Sequence, residues 1–215
     1  MIRSLLEIAG IMVFAASGVL SAGRKGMDLV GVAVIAVVTA LGGGTLRDLL
    51  LERHPVSWIA NTSYLWACLA ASALTLFYVR YREPPARALA IADALGLALF
   101  TIGGAQIAQQ AGANGLIMVL MGVMTGTAGG VLRDVLSAEV PLIFRSGHLY
   151  ASAALAGTVL YQVLDQLGVP RDVSGLAGMA LIAGLRIGAI IFDWRLPTPR
   201  VQDRHESQEG PRPGV

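Results

Sequence analysis

Two strings, Gly42-Gly43-Gly44-Thr45-Leu46-Arg47-Asp48 and Ala128-Gly129-Gly130-Val131-Leu132-Arg133-Asp134, each place a cation and an anion directly after a cluster of glycines. Both sit at the end of long uncharged stretches. An ionisable side chain at a bilayer centre costs about 2.5–3.5 kcal/mol on insertion scales, so one that is kept there points to an ion, a path or a charged partner. Arg47, Asp48, Arg133 and Asp134 are therefore candidates either to line an ion path or to form structural ion pairs. Neighbours in sequence point to different helix faces, so Arg47 and Asp48 are not expected simply to neutralise each other. Glu7 and Asp93 are candidate partners for the arginines, or helix-start residues favoured by the dipole. Arg186 is expected to snorkel to the surface about two turns on.

The glycines admit two readings as well. Glycine costs about 1 kcal/mol in a helix interior relative to alanine. Close packing of helices in lipid uses small residues for that reason. Alternatively Gly42, Gly43 and Gly44, with Gly129 and Gly130, break their helices. Freed backbone groups are tolerated at membrane depth only where they face protein or a wet cavity. Thr39 and Thr125 precede the glycines, and Thr45 follows them, as polar groups for such a path.

Other chemistries find no support. There is no GxxxxGK[ST] string, hence no nucleotide-driven pump. His54, His148 and His205 are scattered, with no HExxH, no CxxC and no Ser-His-Asp arrangement. No enzymatic activity, metal or cofactor is expected. The 16 basic residues never form a run longer than two, so no stripe exists to collect nucleic-acid phosphates. Cys68 has no partner in the chain and reads as apolar packing.

The elements that must position these groups follow from composition. Of 215 residues, 55% are hydrophobic and only 14% charged, with a mean hydropathy of +0.66. A soluble domain carries about 25% charged residues. The chain is an integral membrane protein, and the gaps between charges predict spans at 4–22, 28–51, 58–79, 88–108, 114–136, 148–166 and 173–192. The tail over 193–215, with Pro197, Pro199, Pro211 and Pro213, reads as disordered. Seven spans put Arg24, Lys25, Arg80, Arg82, Arg87, Arg145 and the tail arginines on one side, with Arg3, Arg53 and Arg171 on the other. The positive-inside rule then makes the N-terminus external and the C-terminus cytoplasmic, in a plasma (inner) membrane. Trp58, Tyr64, Tyr150 and Trp194 fit interfacial belts.

At an offset of 86 residues the chain matches itself. Eight of 17 positions between 39–55 and 125–141 are identical without a gap, and Gly18/Gly104, Gly26/Gly112, Tyr64/Tyr150 and acidic Glu7/Asp93 also coincide. Each copy holds three spans, an odd number, so the second must enter the membrane upside down, as in inverted-repeat transporters and channels. The fold expected is all-α, two inverted three-helix repeats (about 4–80 and 88–166) plus a seventh C-terminal helix, as one transmembrane domain over 1–192.

The duplicated three-helix unit and the paired Gly-Gly-x-Leu-Arg-Asp strings resemble the prokaryotic branch of the trimeric intracellular cation channels, the TRIC family, over about residues 4–192. Where the animal members carry a Lys-Glu-Gly-Gly-type motif, this chain has Arg-Asp. The resemblance implies a homotrimer embedded in membrane lipid, each subunit holding its own pore and conducting K+ and Na+ with little selectivity. It also implies that kinked second and fifth spans line the pore, at Gly42–Gly44, Gly129 and Gly130. Relatives with the same repeat suggest a second reading, a transporter of a small amino acid such as glycine. A purely structural trimeric scaffold is a third.

Overall fold

The computed structural model describes residues 2–145 and 149–197. The tail beyond Pro197, with Arg200, Arg204 and Arg212, lies outside the described residues, as do His148, His205 and the side chain of Arg3. The elements are α1 (Ile2–Arg24), α2 (Leu29–Leu50), α3 (Ser57–Ala60), α4 (Ser63–Tyr81), α5 (Ala88–Gln110), α6 (Gly115–Leu136), the 3-10 turn η1 (Leu142–Phe144), α7 (Ala151–Gln166) and α8 (Arg171–Phe192). Among the described residues six of these helices are long and apolar enough to cross a membrane: α1, α2, α4, α5, α6 and α8. α7 has 16 residues, about 24 Å at 1.5 Å per residue, short of the ~30 Å hydrocarbon layer.

The third predicted span, 58–79, is divided. Asn61 and Thr62 separate α3 from α4, and the Asn61 side chain accepts the amide of Ser63 at 3.0 Å. Just after α8, Trp194 folds back to stack on Phe192 (centroids 5.7 Å apart).

The duplication recurs in backbone detail. α1 and α5, and α2 and α6, have identical bounds after an offset of 86. Gly26 (φ 64°) and Gly112 (φ 80°) close the first helix of each copy in the left-handed region that favours glycine. Asp28 caps α2 through the amide of Gly31 at 2.7 Å, and Asn114 caps α6 through that of Ile117 at 3.0 Å. Both helices end at a left-handed residue, Glu52 and Ala138.

α1, α2, α5 and α6 form the centre. A Cβ on Gly43 would lie 2.2 Å from the Thr125 carbonyl oxygen, and one on Gly129 would lie 2.3 Å from that of Thr39. The contacts are reciprocal under the 86-residue offset, as expected for a two-fold relation. Their order reverses: 39 then 43 on α2 faces 129 then 125 on α6, so the helices cross antiparallel. Gly10 against Phe100 and Gly96 against Phe14 repeat the pattern between α1 and α5. α4 packs outside α1, while α7 and α8 pack on each other and on α5.

Candidate functional site

Both arginine–aspartate pairs stand in the last turns of α2 and α6, where the helices leave carbonyls unpaired. In the first copy, Arg47 Nε donates to Asp48 Oδ1 at 2.8 Å, and Arg47 Nη2 donates to Ser57 Oγ at 3.0 Å. Asp48 Oδ2 accepts the amide of Ser57 at 2.8 Å and also its hydroxyl, so this carboxylate caps α3. In the second copy, Arg133 Nε donates to Asp134 Oδ1 at 2.9 Å, and Asp134 Oδ2 accepts the amide of Leu142 at 3.0 Å, capping η1. All four side chains are buried. The expectation that sequence neighbours would not pair is thus overturned: the arginine stem is long enough to fold back onto the next residue. A fully desolvated charge needs such a partner.

The acidic residue of each copy's first helix joins its cluster differently. Glu7 Oε2 accepts the hydroxyl of Tyr64 at 2.5 Å and lines a cavity of about 370 Å³ with Asp48, Arg53, Ser57 and Asn61. A smaller recess of about 30 Å³, lined by Glu7, Gly44, Arg47, Tyr64 and Phe100, shares Glu7 and Tyr64 with it. Asp93 is instead sealed at 0% exposure. Its Oδ1 accepts from Arg133 Nη1 at 2.8 Å and from the Tyr150 hydroxyl at 3.4 Å, while Arg133 Nη1 also donates to Ser17 Oγ. Asp93 is therefore a charge partner of Arg133.

Arg186 does not reach the surface. It is 2% exposed, with its guanidinium 4.7 Å above the Tyr150 ring, 3.1 Å from the Leu149 carbonyl and 3.9 Å from Asp93 Oδ2. Packing of α8 against α5 holds it there. Tyr64 and Tyr150 are accordingly cluster members rather than belt residues, and Trp58 donates to Thr45 Oγ1 at 3.0 Å.

The expected helix break is also overturned. α2 and α6 run uninterrupted through their glycines, because the missing side chains are used for close approach. Gly43 and Gly129 make the crossing described above, and Gly42 lies against Leu132. Gly44 and Gly130 face the two polar clusters: a Cβ on Gly130 would meet Tyr150 Oη at 2.7 Å and Asp93 Oδ1 at 3.0 Å. Thr39 and Thr125 turn their hydroxyls back to Ile35 and Met121 of their own helices at 2.6 Å.

Between the clusters lie two residues that the sequence reading passed over. Phe14 and Phe100 stack with centroids 5.2 Å apart and 12° between planes. They are separated by 86 positions, as are Gly10 and Gly96 on which they pack. The repeat offset that singled out the charged pairs would have found them. Phe100 also forms a wall of the small recess beside Glu7.

The family model described as Glycine transporter matches residues 4–80 and again 90–166. The UPF0126 inner membrane protein YadS of Escherichia coli (strain K12) is 42% identical over 195 residues, covering 90% of this chain and 94% of that protein. A UPF0126 membrane protein of Vibrio cholerae is 42% identical over 197 residues, 90% of this chain and 81% of that one. Among solved structures, the TRIC trimeric intracellular cation channel orthologue from Rhodobacter sphaeroides matches with a TM-score of 0.85 at 40% identity, over 89% of this chain and 98% of that one. A prokaryotic TRIC channel crystallised in 0.5 M KCl matches at 0.84 and 32% identity, over 91% and 99%. A trimeric intracellular cation channel from C. elegans, at 0.58 and 14%, shares the fold.

Proposed function

This chain belongs to the prokaryotic TRIC family, and from that premise we propose that it is a monovalent cation channel of the plasma membrane. It conducts K+ and Na+ as a homotrimer, with one path per subunit between two inverted repeats. The observation that carries this reading is the placement of one polar cluster from each repeat at opposite ends of a shared four-helix core, with the Phe14–Phe100 stack between them. The antiparallel Gly43/Gly129 crossing supports inversion of one repeat relative to the other.

The outer entrance is the cavity of about 370 Å³ lined by the Glu7 carboxylate and by Asp48, which pairs with Arg47 and Arg53. The inner entrance lies at Arg133, Asp93 and Asp134. Two aromatic faces in contact exclude water, and hydrophobic constrictions gate by dewetting. Conduction therefore requires Phe14 and Phe100 to part. The crossing glycines let the two copies shift without side chains in the way. The N-terminus is external and the C-terminus cytoplasmic, as the arginine distribution supports.

A second reading rests on two observations: the name of the matching family model, and a small recess beside Glu7 with Phe100 in its wall. Purified protein in planar bilayers separates the two. Discrete currents that reverse with the K+ gradient support the channel. Silent bilayers, with uptake of labelled glycine into proteoliposomes, support the carrier.

A further inference from the structure

The two polar clusters share an arginine–aspartate pair, a carboxylate and a tyrosine, but differ in burial. Glu7 and Tyr64 line an open cavity, whereas Asp93 and Tyr150, their counterparts, are buried. The residue that closes the second cluster is Arg186, and it comes from α8, which has no counterpart in the first repeat. Arg186 donates to the neutral Leu149 carbonyl at 3.1 Å but meets its counter-charge only at long range. It stands 3.9 Å from Asp93 Oδ2, beyond hydrogen-bond reach. Among the described residues, Arg186 Nε and Asp93 Oδ2 have no hydrogen-bond partner. Arg133, by contrast, donates to Asp93 and Asp134 at 2.8 and 2.9 Å. On its far side Arg186 walls a cavity of about 230 Å³ shared with Arg87, Leu142, Ala189 and Trp194. Arg186 thus borders both that cavity and the Asp93 oxygen that lacks a hydrogen bond.

We propose that Asp93 Oδ2 is a monovalent-cation site at the inner end of the path, and that Arg186 is a tethered cation masking it in the closed state. The charges support this. Asp93, Asp134, Arg133 and Arg186 together are neutral, so a cation entering beside them gains nothing. When the guanidinium swings toward the 230 Å³ cavity, the remaining three groups carry one net negative charge, and an oxygen with free lone pairs faces the opening. The other groups that hold the guanidinium, the Tyr150 ring at 4.7 Å and the Leu149 carbonyl at 3.1 Å, are neutral and supply no counter-charge. The proposal rests on the cation-channel reading.

The test compares the full chain with Arg186→Gln in planar bilayers under symmetric KCl. Arg186→Gln is expected to raise the open fraction about tenfold, within the usual range of coupling between two states. On a Cys68→Ser background, Arg186→Cys should behave like the Gln variant. A methanethiosulfonate carrying an ethylammonium group, added from the C-terminal side, should then close it again, and a neutral methyl reagent should not. Tyr150→Leu, which keeps every charge but removes the resting surface, should raise the open fraction too and serves if the Arg186 variants do not assemble. Equal open fractions in conducting wild type and variants overturn the masking role and leave the channel reading standing. Silence from wild type and variants alike, in correctly assembled protein, overturns the channel reading and the site with it. Currents from Arg186→Gln where wild type is silent support both.

Discussion

Gly43 and Gly44 are neighbours with opposite duties. A methyl group on Gly43 would stand 2.2 Å from a backbone oxygen of α6, which cannot yield without separating the helices. Overpacking of that kind costs about 1–3 kcal/mol and occasionally more. Gly43→Ala and Gly129→Ala are therefore expected to lower the melting temperature in detergent or prevent assembly. At Gly44 the nearest atom is Arg47 Nη2 at 3.7 Å, an ordinary contact. Gly44→Ala should fold like the wild type while narrowing the recess beside Phe100, with reduced unitary conductance as the readout; equal loss of stability at Gly43 and Gly44 would contradict this division. Phe14→Ala should cost about 3–5 kcal/mol of stability and increase cation leak through proteoliposomes. An unchanged leak in folded protein would remove the stack as the closure. The glycine string told of close backbone approach or a helix break, two outcomes with one sequence signature. Only the position of Thr125 and Thr39 on the partner helix decides between them.

At the scale of the elements, one carboxylate organises each helix end. Asp48 holds Arg47 and the start of α3, and Asp134 holds Arg133 and η1. Asp48→Asn keeps the shape but leaves a buried guanidinium without its counter-charge, which costs about 3–5 kcal/mol. Thermal unfolding should show it, and a loss no larger than that of an exposed substitution would contradict the role. Outside the membrane, Glu139 accepts a hydrogen bond from Lys25, linking the α1–α2 turn to the segment after α6. That bond, with the charges of Lys25 and Arg145, holds the Glu139 carboxyl below its ordinary value. A depressed carboxyl stabilises the fold above its unfolded pKa and loses that contribution as pH falls through its folded pKa. The acid-side drop in melting temperature should thus be smaller in Lys25→Met than in the wild type. Helix existence and the 86-residue offset were legible from charge gaps and identities, because lipid makes charge along a span costly and therefore rare. The Arg–Asp pairing and the division at Asn61 were not, since both depend on how an arginine stem and an aspartate fold around a helix end.

For the whole molecule, the repeat explains why the same residues serve twice and why α8 is the exception. Six helices come in matched pairs about the Gly43/Gly129 crossing, and α8, outside those pairs, adds Arg186 to one end alone. The sequence showed Arg186 as an isolated charge near a helix end, a pattern shared by snorkelling arginines. Its burial follows from the packing of α8 on α5, which no local spacing encodes. The proposed topology is checked by tags at the two ends in intact cells: the N-terminal tag should be accessible from outside and the C-terminal one should not. The central claim, that a cation path runs between the two clusters, is tested most directly by the reversal potential of purified protein in a planar bilayer under a KCl gradient. Reversal close to the K+ equilibrium potential is the expected result. Reversal at the Cl− potential, or no current in assembled protein that accumulates glycine, would contradict it.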